Sequence, residues 1–145
     1  MLVAERPLQI TNVVVGQSGT QAVISWDQPS DEGSTIQYYT LTVKNIDGEY
    51  VEITSCTLTD PATTTCVIEM TDLALLTGLQ EGDLIVVQVT ATNAKSTSDL
   101  SEENTTGATL NGDIAPDMII NVQTAANGLY VDITWDVPAE NLAPI

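Results

Sequence analysis

The sequence predicts an all-β sandwich on three observations. Apolar and polar residues alternate with period two, turn signals recur at short intervals, and no convincing 3.6-residue apolar stripe is present. Composition agrees: Thr and Val recur, Lys and Arg total 3, and apolar residues make up 43% with Phe absent. Such a chain favours strands over helices and must build an aliphatic core around a few Trp and Tyr anchors.

The elements follow in order. "LQITNVVV", after Pro7, reads as a first strand. A turn at Ser18-Gly19 leads to a second, in which Ala22, Ile24 and Trp26 share one face. The polar loop "SDEGS" precedes "TIQYYTLTV", where Tyr39, Leu41 and Val43 alternate with Thr40 and Thr42. Asp47-Gly48 inside "NIDGEYVEIT" is a hairpin signal. "TCVIEM", the turn "LQEGD" and the strand "LIVVQVTATN" come next, and "TSDLSEENTTGATL" reads as a last strand with a polar bulge. About seven short strands in about a hundred residues is the pattern expected of an immunoglobulin-like sandwich. Its predicted core is Trp26, Ile36, Tyr39, Leu41, Leu79, Ile85, Val87 and Val89.

Several of these residues carry a resemblance. The Pro-led first strand, Trp26 closing the second strand, Pro29 after it, Ile36 and Tyr39 are similar to a fibronectin type III domain. So is the run "LQEGDLIVVQVTATNAKSTS", through Leu79, Gly82, Val89, Ala91 and Asn93. Two positions depart from the family pattern. The aromatic residue of the tyrosine corner falls on Ile85, which removes a hydroxyl-to-backbone tie, and Lys95-Ser96 replace the usual Gly after Asn93. "TCVIEMTDL" with "GDLIVVQVTATN" also resembles the divergent repeats of large surface proteins of ciliates and related protists.

Sliding the chain against itself exposes an internal repeat. At the offset of 109 residues that pairs Trp135 with Trp26, Pro116 meets Pro7, Ile119 meets Ile10, Asn121 meets Asn12 and Val122 meets Val13. The register holds through Gly128/Gly19, Ile133/Ile24, Asp136/Asp27, Pro138/Pro29 and Ile145/Ile36. The expected organisation is an extension or end of a preceding repeat at 1–5, a seven-stranded domain at 6–110, a linker at 111–115 and the opening of a second copy at 116–145, with Trp135 in its core. Two strands cannot close a sandwich. Either a longer tandem chain supplies the remainder or another polypeptide completes the domain by strand addition.

Charge and residue types exclude several function classes. With 20 acids against Arg6, Lys44 and Lys95, the net charge is −17. Nucleic acid needs a cationic track, and an anionic membrane surface is disfavoured for the same reason. No stretch is long enough to span a bilayer. "MLVAERPLQI" does not resemble an export signal, so any such signal is expected outside this sequence. With no His, the usual Ser/His/Asp, Cys/His and His-bearing zinc arrangements are missing. The paired carboxylates lie in exposed turns, and the glycines never form a phosphate-cradling run. No enzyme activity, catalytic residue or cofactor is expected.

Four features remain. Cys56 and Cys66 bracket the polar loop "TLTDPATTT" and read as a disulfide formed in an oxidising compartment, against the alternative of two buried thiols. Asn104-Thr105-Thr106 is an N-glycosylation sequon, whose sugar would shield an edge strand; the alternative is a bare Asn in a turn. The Thr cluster at 63–65 could carry O-linked sugar, although β-propensity alone accounts for most of the Thr. Asp113 and Asp117 of the linker "NGDIAPD" could join Asp27, Asp31 or Glu32 around Ca²⁺, although a plain acidic linker accounts for them more simply. The resulting expectation is a structural module of a tandem-repeat extracellular or cell-surface protein, whose partners are neighbouring repeats or further copies. The alternatives are an adhesion module reading ligands with "QPSDEGS" and "NAKSTS", or an accessory domain of a secreted enzyme.

Overall fold

A computed structural model describes residues 3–111 and 119–136. Eight strands and one helix follow in chain order: β1 (Val14–Ser18), β2 (Gln21–Ser25), β3 (Ile36–Lys44), β4 (Tyr50–Glu52), β5 (Thr65–Glu69), α1 (Met70–Thr77), β6 (Val87–Asn93), β7 (Ile120–Asn127) and β8 (Tyr130–Asp136). All pairings are antiparallel. One sheet has the order β1-β2-β5 and a second the order β4-β3-β6; β7 and β8 form a separate hairpin. The first two sheets make the immunoglobulin-like sandwich.

Period-two patterning builds the core. Ala22 and Ile24 on β2 and Cys66 and Ile68 on β5 are buried, as are Ile36, Tyr39, Leu41 and Val43 on β3 and Val87, Val89 and Ala91 on β6. The intervening positions stay partly or wholly open, so each sheet turns one face inward. Full burial of each large aliphatic side chain stabilises the fold by about 1.5–3 kcal/mol. Trp26 and Tyr39 meet edge-on across the core, with ring centroids 5.3 Å apart and planes inclined at 67°. Leu79 and Ile85 are buried on the approach to β6.

Three elements differ from the sequence expectation. β1 begins at Val14 rather than near Leu8, because Asn12 takes a left-handed backbone with φ 56° and breaks the extended run. Helix α1 follows β5 directly and is absent from the sequence reading. Met70, Leu73 and Thr77 share its buried side while Leu75 and Leu76 face out, so apolar residues on both sides conceal the stripe. Gly78 ends α1 in the left-handed conformation at φ 72°, its N–H bonded to Ala74 O. Segment 97–110 runs beside β6 but forms only isolated bridges, Leu84–Thr109 and Thr92–Thr97, instead of a regular strand.

The β7–β8 hairpin copies β1–β2 at the 109-residue offset in three independent respects. Val15 pairs with Ile24 and Thr124 with Ile133, giving one register. Asn12 and Asn121 have φ 56° and 55°, and the turn glycines Gly19 and Gly128 have φ 60° and 61°. Asn12 Nδ2 donates to Asp27 Oδ2 at 2.6 Å, and Asn121 Nδ2 to Asp136 Oδ2 at 2.5 Å. Burial does not follow the copy. Trp26 is 4% exposed, whereas Trp135, expected in a core, is 54% exposed because no described sheet faces it.

Candidate functional site

The loops proposed to read ligands meet at one end of the sandwich, and Asn93 joins them. Its side chain is buried, and Nδ2 donates to Glu5 O at 2.7 Å and Asp31 O at 3.1 Å. Oδ1 accepts the N–H groups of Lys95 and Ser96 at 2.9 and 3.2 Å. One amide therefore fixes the N-terminal segment, the 28–34 loop and the 93–98 turn. The turn that lacks the family glycine is held by Asn93 instead. Neither loop presents an aromatic or arginine anchor of the kind that concentrates binding energy.

The acids in this region are engaged locally. Asp27 accepts from Asn12, and Asp31 Oδ1 caps the turn by accepting Gly33 N–H at 3.0 Å. Among the described residues no three acid, Cys or His side chains group as metal ligands. Asp113 and Asp117 lie outside the described residues. Two exposed ion pairs, Arg6–Asp99 at 2.9 Å and Lys44–Glu103 at 3.4 Å, tie the first segment and β3 to the closing segment. Each contributes little in water. Glu103 also accepts the Tyr50 hydroxyl, and that bond, with Lys44, holds its carboxyl below the usual range. Burial first, then the bond and charge of Glu103, push the Tyr50 phenol up.

Cys56 and Cys66 are joined in a disulfide, with Cα atoms 5.7 Å apart. Cys56 lies in a short 3-10 turn, Thr54–Cys56, and Cys66 in β5, so the bridge links the end of one sheet to the other. The loop between them folds over the aromatic pair. Tyr39 N–H donates to Leu58 O at 2.9 Å, the Tyr39 hydroxyl to Pro61 O at 2.9 Å, and Trp26 N–H to Thr64 O at 3.1 Å. Asp60 braces the apex by accepting Ala62 N–H and the Thr63 hydroxyl, each at 3.0 Å. The hydroxyl-to-backbone tie missing at Ile85 is thus supplied by Tyr39 elsewhere. The polar loop "TLTDPATTT" was visible in the sequence, but nothing there showed which tyrosine would hold it. Burial raises the Tyr39 pKa, opposed by the adjacent Trp26 indole and assisted by the Asp60 charge. The Trp26 Nε1 proton itself is buried without a hydrogen-bond partner.

A groove of about 380 Å³ opens along the sandwich edge between residues 9–13 and 101–104. Its polar side chains are mostly committed: Asn12 to Asp27, Glu103 to Lys44 and Tyr50, and Gln9 to Leu100 O at 2.7 Å. Asn104 is also engaged. Its Oδ1 accepts Val87 N–H at 2.8 Å, and Nδ2 donates to Ile85 O at 2.8 Å and Thr106 O at 3.1 Å. Ser101, Glu102 and Glu103 line it beside Ile10 and Val13, and Ser101 Oγ is itself committed, accepting Val89 N–H at 2.9 Å.

Comparison with known proteins places this geometry. The fibronectin type III domain family matches residues 8–107. No curated protein sequence matches the chain. Among solved structures, the FN1–FN3 domains of chicken CNTN1 are 17% identical, with a TM-score of 0.53, over 91% of this chain and 42% of that one. The twitchin kinase region from C. elegans is 20% identical, with a TM-score of 0.56, over 74% of this chain and 17% of that one. The titin kinase with its flanking domains is 21% identical, with a TM-score of 0.53, over 73% and 18%. The chain thus spans less than half the length of each. At these identities the likeness is one of fold, and it agrees with the sandwich and the matched span. The chain belongs to the fibronectin type III family.

Proposed function

We propose that the chain is a non-enzymatic structural module of a tandem-repeat protein at the cell surface or outside the cell, acting as a spacer or filament building block. The observation that carries this reading is the geometric repeat. β7–β8 reproduces the register, the left-handed Asn and Gly positions and the Asn–Asp bond of β1–β2 at one offset, while nothing among the described residues covers its apolar side chains. A hairpin of this kind gains little stability alone and is completed by further strands of its own repeat. Neighbouring repeats are then the partners, and the segment between copies sets their spacing.

The family is one of non-catalytic domains, although members occur beside kinase domains in twitchin and titin. The disulfide supports an oxidising environment. No helix among the described residues is long and apolar enough to cross a membrane. A high negative charge suits a soluble, self-repelling rod. Electron microscopy of the natively isolated protein tests the proposal. Elongated particles with a regular repeat along the axis are expected, and isolated globules of single-domain size would contradict it.

A further inference from the structure

Segment 97–110 closes the outer edge of β6 with side chains where a regular strand would use carbonyls. Ser98 N–H donates to Ala91 O at 2.8 Å while Ser98 Oγ accepts Ala91 N–H at 3.0 Å. Ser101 repeats the arrangement on Val89, at 3.1 and 2.9 Å. The third step falls to Asn104, which uses its side chain alone: Oδ1 accepts Val87 N–H and Nδ2 donates to Ile85 O, both at 2.8 Å. Three residues of the segment thus advance for every two of β6. The amide of Asn104 substitutes for a strand residue.

This arrangement bears on the sequon Asn104-Thr105-Thr106. The Ile85 carbonyl and the Val87 N–H leave the same edge of the chain, flanking Val86. A planar side-chain amide meets such a pair with its oxygen and the hydrogen cis to that oxygen. The other hydrogen then serves Thr106 O, at 3.1 Å. N-glycosylation exchanges one N–H bond for a bond to the sugar carbon and makes the amide secondary. Like a peptide bond, a secondary amide keeps the carbon substituent cis to its oxygen and the remaining hydrogen trans. The sugar carbon would therefore take the place of the hydrogen aimed at Ile85 O, where nitrogen and oxygen are only 2.8 Å apart. Turning the amide away to make room would abandon Val87 N–H.

We infer that a glycan at Asn104 and the closed edge of β6 exclude one another, so that the folded domain carries no sugar there. Asn104 is a lock for the last segment, and its sequon can be filled only while that segment is off the sheet.

The test sends the full chain through a glycosylating secretory pathway behind an added export signal, which makes it independent of the protein's native location. Lys95→Asn, which creates a sequon with Ser96 and Thr97 in an exposed turn, serves as the comparator. Intact mass with and without glycosidase is combined with amide exchange at Val87, Val89 and Ala91. The expected result is one removable glycan on K95N and none on the parent chain wherever those amides are protected. Chains modified at Asn104 before folding would lose that protection, as the exclusion requires. Thr106→Ala, which destroys the sequon but keeps the amide, should leave protection unchanged, and Asn104→Gln should lose it at Val87. A glycan at Asn104 on chains that retain full protection would overturn the inference.

Discussion

The chain contains two hairpins of nearly identical construction and opposite fate. β1–β2 and β7–β8 share register, turn glycine geometry, left-handed asparagines and an Asn–Asp bond. In the first, Val15, Ala22, Ile24 and Trp26 are buried; in the second, every residue of both strands is exposed. The same local sequence pattern therefore accompanies the same hairpin geometry, down to single backbone torsions. What separates the two is the cover over the apolar face: sheet β4-β3-β6 and the disulfide-bound loop in one case, and nothing among the described residues in the other. Most stability in this fold comes from that cover.

The sharpest way to break the comparison is to truncate the equivalent tryptophans. Trp26→Ala should cost about 3–5 kcal/mol, because it empties a packed core site. Trp135→Ala in the same 145-residue chain, where no described sheet faces it, should change the unfolding free energy by no more than about 0.5 kcal/mol. Urea unfolding followed by far-ultraviolet dichroism measures both, and equal effects would mean that the second hairpin is covered after all.

Removing the cover's staple should have the next largest effect. The Cys56–Cys66 bridge closes a separation of 10 residues, and replacing both cysteines by Ala should lower stability by about 2–3 kcal/mol. Thermal melts of the double variant and of the reduced parent should agree, and both should lie below that of the oxidised parent. The β7–β8 hairpin, which has no such loop, should show unchanged amide exchange.

The asparagines test the local half of the comparison. Asn12→Ala places an alanine at φ 56° and removes the bond to Asp27, and it should cost about 1–2 kcal/mol. Asn121→Ala makes the same local change but should leave the main unfolding transition where it is. Chemical denaturation of the two variants side by side provides the check.

The smallest effect is one of pH. Burial raises the Tyr39 pKa in the folded protein, so the unfolded chain ionises first, near pH 10. The stability linked to this phenol is fully present below that pH and is lost as pH climbs towards the folded-state value. Tyr39→Phe should reduce the alkaline slope. It should also cost about 1 kcal/mol at neutral pH through the lost bond to Pro61 O. An unchanged slope would mean that Tyr50, also shifted upward, accounts for the alkaline loss.

Legibility in the sequence followed the same division. Alternation placed β2, β3 and β6 and the residues that face inward, because a half-buried strand writes its burial into every second position. Helix α1 was hidden because Leu75 and Leu76 are apolar without being buried. The last segment read as a strand but pairs through Ser98, Ser101 and Asn104, and hydroxyl and amide side chains carry no periodic apolar signal. The serines and asparagine stand at a spacing of three in "SDLSEEN", a pattern that gains meaning only once β6 lies beside it. Asn93 and Tyr39 were visible as a family position and a core residue, but their hydrogen bonds join segments far apart in sequence. The likeness of the two hairpins was legible as an offset of 109 residues; the exposure of Trp135 was not, because burial depends on what lies opposite.

The most direct test of the tandem-module account is the intact mass of the natively isolated protein under non-reducing conditions. The account predicts a mass well above 15.4 kDa. A mass near 15.4 kDa would contradict it and leave the second hairpin to be completed by another chain.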